Sequence, residues 1–146
     1  MTSKRKDLKI KRSTADRLAN EVQERIFEIN ENPDFAFVIG RAVIFGSYVN
    51  TDSDMISDLD IGIEIRERFE DKEKQKEISD KRIAAYYSEG HGQDFLMSLY
   101  WPIEEITRYL KHRSGYISIH DIRYDKIAVF SSKTIELNTT RTEGSQ

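Results

Sequence analysis

Cysteine is absent from this chain of 146 residues, which excludes both disulfides and thiolate metal sites. Long apolar runs are missing as well. No stretch approaches the roughly 18 residues that a membrane span requires, so the chain is not expected to cross a bilayer. Charge of one sign is not in large excess: the net charge is −3, which carries no global signature of nucleic-acid binding. The basic start, Met1-Thr-Ser-Lys-Arg-Lys, is followed by no apolar segment and does not read as a secretory signal. Together these absences point to a soluble protein, and the cysteine-free composition fits a cytoplasmic one.

Hydrophobic residues make up 38% and charged residues 34%, the balance of a globular domain with a heavily charged surface. The length suits one domain. Lys4, Arg5, Lys6, Lys9, Lys11 and Arg12 crowd the first twelve residues against a single acid, Asp7. Residues 1–12 therefore read as a basic, solvated arm, with RNA phosphates or an acidic partner as the alternative to plain solvation. A single domain is expected over 13–137, followed by a polar, frayed tail over 138–146.

Ser13 or Thr14 can cap a helix whose stripe is Leu18, Val22, Ile26 and Ile29. That helix ends before Asn32-Pro33-Asp34, a turn signal. Ala42-Val43-Ile44-Phe45 is a short, β-branched run stopped by Gly46 and reads as a buried strand, which Phe35 to Ile39 extends or underlies. Asn50 to Ser57 is polar and reads as a loop. Leu59, Ile61, Ile63 and Ile65 then alternate with Asp58, Asp60, Gly62 and Glu64, a period of two that places both aspartates on one strand face. Residues 66–80 and Ile78, Ile83, Tyr86 or Tyr87 suggest a charged helix, and Ser88 to Gln93 a glycine-bearing loop. Trp101-Pro102 is expected to open a helix carrying Ile103, Ile106, Tyr109 and Leu110. Gly115 ends it. Tyr116 to Ile122 and Lys126 to Phe130 read as two further strands. The fold class is thus α+β: a small mixed sheet with helices packed on it.

One constellation carries chemistry. A strand ends in Gly46-Ser47, and after a loop Asp58-Leu59-Asp60 opens the next strand. A glycine at a strand end lets backbone approach a bulky anion. The following N–H groups and the Ser47 hydroxyl are donors suited to phosphate oxygens. Two carboxylates two residues apart on a strand project in parallel and are suited to Mg²⁺, a hard cation that commonly keeps substrate phosphates among its ligands.

This arrangement resembles the DNA polymerase β-like nucleotidyltransferase superfamily, whose hallmark is a Gly-Ser after a strand, a loop, and an Asp-x-Asp in the next strand. The spacing is similar to that of the minimal nucleotidyltransferases, which include antitoxin partners of HEPN-type toxins. The close likeness covers residues 42–65. It implies a polymerase β palm-like fold, a nucleoside triphosphate held by Gly46 and Ser47, and two Mg²⁺ ions on Asp58 and Asp60. The family also implies a third carboxylate that helps hold metal and takes the proton of the attacking hydroxyl. Asp121, at the end of Tyr116-Ile-Ser-Ile-His-Asp, is the candidate for this catalytic and metal-binding role, with Asp125, Asp94 and Glu64 as rivals. The implied reaction moves a nucleoside monophosphate onto a hydroxyl of a protein, an RNA end or a small molecule by two-metal phosphoryl transfer. The alternative is an antitoxin or regulatory subunit with the same fold and weak or no catalysis. Its partners would be a HEPN-type toxin or RNA, with a homo-oligomer also compatible.

Competing readings of these residues are weaker. Asn50, Asp52 and Asp54 imitate a calcium loop, but Met55 stands where its glycine belongs and Ile61 where its glutamate belongs. Sugar-transferring enzymes that use an Asp-x-Asp are much longer. His91, His112 and His120 lack zinc-ligand spacing, and His120 beside Asp121 reads as a surface or inter-strand residue. Tyr100 and Trp101 read as core more readily than as a base-stacking pair. Lys111 and Arg113 suit a helix C-terminus without any phosphate. Ser47 lacks the second glycine of a hydrolase nucleophile elbow.

Overall fold

An apolar stripe on a helix and an alternating strand each need something to bury against. Here they bury against one another. The structure, a computed structural model, describes residues 9–141. In chain order the elements are β1 (Ile10–Lys11), α1 (Arg12–Glu31), β2 (Phe37–Phe45), α2 (Ser47–Asn50), β3 (Met55–Ile56) and β4 (Leu59–Glu67). They continue with α3 (Lys72–Ser88), α4 (Phe95–Lys111), β5 (Ile117–Asp121), α5 (Ile122–Val129) and β6 (Ile135–Leu137). The mixed sheet has the order β5-β4-β2-β6, with β4 and β5 parallel and the other pairings antiparallel. A separate two-stranded ribbon joins β1 to β3. This is an α+β fold.

The main core lies on one face of the sheet. Leu18, Val22, Ile26 and Ile29 of α1 pack there with Leu59, Ile61 and Ile63 of β4, Ile117 of β5, and Ile106 and Leu110 of α4. Register in β2 shifts between Ile39 and Arg41. Such an irregularity adds one residue to one strand and changes which alternate side chains face inward. Ile39 therefore joins the same core as Ala42 and Ile44, while Val43 and Phe45 turn to the opposite face, where they pack with Ile122 and Val129.

That second face is covered closely by α5, and Gly62 is the reason it fits. A Cβ on Gly62 would sit 3.0 Å from Val129 Cγ1 and 3.3 Å from Ile122 Cγ1. The span read from sequence as a strand over Lys126 to Phe130 is instead the second half of this helix. Ile122 and Val129, seven residues apart, present one helical face to the sheet, a spacing that a short apolar run does not disclose.

Other boundaries differ for local reasons. The fourth strand of the sheet is β6, which pairs Leu137, Glu136 and Ile135 with Ala42, Val43 and Ile44. Helix α4 starts at Phe95, not at Trp101, because Asp94 caps it by accepting from the N–H groups of Leu96 and Met97 at 2.9 and 3.3 Å. Pro102 is therefore inside the helix. Helix α1 starts at Arg12 with no side-chain cap, ahead of the Ser13 or Thr14 cap read from sequence. Positions 138–141 are not frayed: the Gln23 amide brackets Asn138, donating to its carbonyl at 2.6 Å and accepting from its N–H at 2.9 Å. Arg141 pairs with Glu24 and Glu31 of α1. Most of the basic arm, including Lys4, Arg5 and Lys6, and residues 142–146 of the tail lie outside the described residues. No helix among the described residues is long and apolar enough to cross a membrane.

Candidate active site

Antiparallel register places Phe45, the last residue of β2, opposite Asp60 of β4. The chain must then turn away, and it does so at Gly46 with φ 82° and ψ −153°, a conformation open essentially to glycine alone. The turn touches the carboxylate. A Cβ at Gly46 would lie 2.4 Å from Asp60 Oδ2, so the missing side chain leaves the space the acid occupies. Ser47 follows as the first residue of the one-turn α2, and its Oγ lies 3.2 Å from Ser57 Oγ, the residue just before Asp58. Gly46, Ser47, Asp58 and Asp60 are thus brought to one end of the central β2–β4 pair.

The loop between the two halves of the motif is tied down from the N-terminus. Arg12 Nη1 donates to the Tyr48 carbonyl at 2.8 Å, Nη2 to the Thr51 carbonyl at 2.9 Å and Nε to the Ser53 carbonyl at 2.9 Å. The Arg12 N–H donates to the Asp54 carbonyl at 2.7 Å, and the guanidinium stacks over the Tyr48 ring at 5.3 Å. Ile10 and Lys11 pair with Ile56 and Met55 in the adjoining ribbon. The end of the arm read as solvated is therefore a strut, and Arg12 is committed to loop carbonyls. Tyr48 adds a second tie: its hydroxyl donates to Asp16 Oδ1 at 2.5 Å, and burial together with that bond pushes its phenol up to about 12.

Asp121 does not join the aspartate pair. Its register partner is Ile63, so it shares the phase of Ile117 and Ile119, which is the phase of the main core. Its carboxylate caps α5 by accepting from the Arg123 N–H at 2.9 Å and pairs with the Arg123 guanidinium at 3.2 and 2.9 Å. Arg123 holds the Asp121 carboxyl below the usual carboxylate range. The residue read as the third carboxylate therefore stands on the opposite face of the sheet from Asp60, engaged with Arg123. Asp94 is spent on the α4 cap, and Glu64 pairs with Arg66 at 2.7 Å.

Ser118 and His120 stand on the aspartate face instead. Ser118 is the register partner of Asp60, and His120 that of Gly62. His120 Nε2 lies 3.7 Å from Asp60 Oδ1 and 3.0 Å from Ser118 Oγ, while Nδ1 lies 3.1 Å from Asp125 Oδ2. The ring packs edge-on against Phe45 at 5.0 Å. One ring nitrogen thus faces Asp125 and the other stands between Ser118 and Asp60. Alternation carried the signal for this. If Ile117 and Ile119 face the core, Ser118 and His120 must face the side of Asp58 and Asp60.

Burial pushes the Asp60 carboxyl up, the His120 imidazole opposes this, and the nearby Asp58 charge adds to the rise. Two half-buried acids at the same strand ends make a site that favours an added cation. No group of three His, Asp or Glu side chains is poised to hold a metal among the described residues, so any ion here would draw further ligands from a substrate or from water. That end is open. Concavities of about 420 and 950 Å³ lie elsewhere, the first between Pro33 and Arg82 and the second beside α4 at Trp101, Arg108 and His112.

Comparison with protein-family models, with curated proteins and with solved structures returns no match.

Proposed function

We propose that this chain is a nucleotidyltransferase-type domain that binds a nucleoside triphosphate with a divalent cation and moves a nucleoside monophosphate onto a hydroxyl acceptor. The observation that carries the reading is the contact between the Gly46 turn and the Asp60 carboxylate. A phosphate seated on the turn would lie beside both acids. Gly46 lets the turn close on the Asp60 carboxylate, and the Ser47 and Ser57 hydroxyls supply donors beside it. Asp58 and Asp60 are the residues that would hold Mg²⁺, an ion that neutralises phosphate charge and lowers the pKa of an acceptor hydroxyl. The half-buried acid pair fits that cation by donor chemistry and by charge. His120, held between Asp125 and Ser118 and facing Asp60, is the residue on this face that would exchange a proton with the acceptor in place of a third carboxylate. The resemblance to the polymerase β-like superfamily and its palm-like fold is part of the same proposal.

A second reading is favoured by one observation, the engagement of Asp121 with Arg123 and the α5 cap. Without a third carboxylate at the pair, the domain would act as an antitoxin or regulatory subunit that binds nucleotide and a HEPN-type or RNA partner with little catalysis. Incubation with each radiolabelled nucleoside triphosphate, Mg²⁺ and cell lysate separates the readings. Label transferred by wild type and not by Asp58→Ala/Asp60→Ala is the result expected of the enzyme. Mg²⁺-dependent binding without transfer selects the regulatory subunit, and neither binding nor transfer defeats both.

A further inference from the structure

Helix α4 turns large apolar side chains outward along its first half. Its buried positions include Ser98 and Glu105, beside Trp101, Pro102 and Ile106. Its outward positions are apolar: Phe95 is 66% exposed, Leu96 64%, Met97 42%, Leu99 45% and Tyr100 66%. In a chain whose residues are 34% charged, none from Phe95 to Ile103 carries a charge. Tyr87 of α3 extends the patch, 36% exposed and joined through its hydroxyl to Ser98 Oγ at 3.0 Å. Past Ile103 the helix reverts to Glu104, Thr107, Arg108 and Lys111 on its surface side.

Contiguous apolar surface of this size marks an interface on soluble proteins. At these exposures the six side chains present on the order of 500 Å² per chain. Two such patches facing one another would bury about 1,000 Å², the area that a biological interface must reach. A second copy fits this face: across a two-fold axis the same residues meet, and a patch without charge meets its copy with no like-charge repulsion, which the rest of a chain that is 34% charged would impose. We infer that the N-terminal half of α4 is a homodimer interface, in which Leu96, Leu99 and Tyr100 pack against the same residues of a second copy, with the two helices antiparallel and Leu99 near the axis. Helix α4 packs on the main-core face of the sheet, away from Asp60 and α5, so both copies keep their candidate sites open.

Sedimentation equilibrium of the full chain tests this directly. Wild type is expected at twice the 17.1 kDa of one chain, and Leu96→Glu/Leu99→Glu at 17.1 kDa, with circular dichroism unchanged and a melting temperature that no longer rises with protein concentration. Phe95→Ser/Tyr100→Ser, which adds no charge, is expected to lower the association constant at least tenfold and covers the case in which the glutamates disturb folding. Because the chain has no cysteine, Leu99→Cys gives a single reporter: mild oxidation should link two copies, and Leu96→Glu added to it should abolish the link. A monomeric wild type at high micromolar concentration overturns the proposal. So does a dimer that survives both sets of substitutions, or one in which the Leu99→Cys copies fail to cross-link.

Discussion

Gly46 and Asp60 are in contact through a missing atom: a Cβ on the first would lie 2.4 Å from Oδ2 of the second. The turn after β2 and the acid on β4 are thereby a single structural unit, held by register at Phe45 and Asp60. Gly46→Ala combines a backbone conformation closed to alanine with a collision at the carboxylate. The expected loss is about 1–3 kcal/mol of folding free energy. Urea denaturation measures it, and triphosphate binding should weaken more than in Ser47→Ala, which removes only a donor.

Arg12 should act on the same unit from outside it. Its guanidinium joins three loop carbonyls, at Tyr48, Thr51 and Ser53. Arg12→Ala is expected to cost roughly 2 kcal/mol, since hydrogen bonds from a charged group are worth about 1.5–3 kcal/mol and these are partly exposed. Hydrogen exchange should accelerate at Thr51 to Ile56 while α1 stays protected. Arg12→Lys should recover little, because an ammonium cannot reach three carbonyls in a fork. Unchanged exchange in the loop would rule out the strut.

Asp121 should behave as a cap with a charge partner and not as a metal ligand. Asp121→Asn retains a capping side chain and is expected to leave Mg²⁺-dependent triphosphate binding intact, whereas Asp121→Ala should cost about 1 kcal/mol of stability. Arg123 lowers the carboxyl in the folded state, so the wild-type advantage is present above the unfolded value of about 3.9 and is lost as pH falls through the lowered folded value. Melting curves of wild type and Asp121→Asn should converge on acidification. Loss of nucleotide binding in Asp121→Asn would restore it to the site.

Gly62 should tolerate no branched side chain. Gly62→Val drives carbon into Val129 and Ile122, at 3.0 and 3.3 Å from the position of a Cβ, and lifts α5 with the His120–Asp125 pair it flanks. A loss of about 1–3 kcal/mol is expected from overpacking. A wild-type melting temperature would mean that α5 is not packed on the strand.

Periodic features were legible before the fold was known. The stripe Leu18, Val22, Ile26, Ile29 and the alternation from Leu59 to Ile65 are the core as it stands, because both periods report which side of an element is dry. Gly46, Ser47, Asp58 and Asp60 were legible as a group because short-range spacing fixes their faces. Asp121 shares the phase of Ile117 and Ile119, which was legible; that the helix after it would recruit the carboxylate as a cap was not, because the α5 span read as a strand. Arg12 could not have been read as a strut, since its partners are 36 to 41 residues away and are carbonyls, which leave no mark in a sequence. Lys126 to Phe130 failed for a different reason. Its apolar residues are too few to distinguish one period from the other.

The most direct test is calorimetric titration of the wild type, Asp58→Ala and Asp60→Ala with nucleoside triphosphate in the presence and absence of Mg²⁺. Binding by the wild type only when Mg²⁺ is present, abolished in each variant with the melting temperature retained, is the outcome that joined phosphate turn and acid pair predict. Equal affinity in all three proteins would show that these carboxylates hold no metal and that the turn beside them cradles no phosphate.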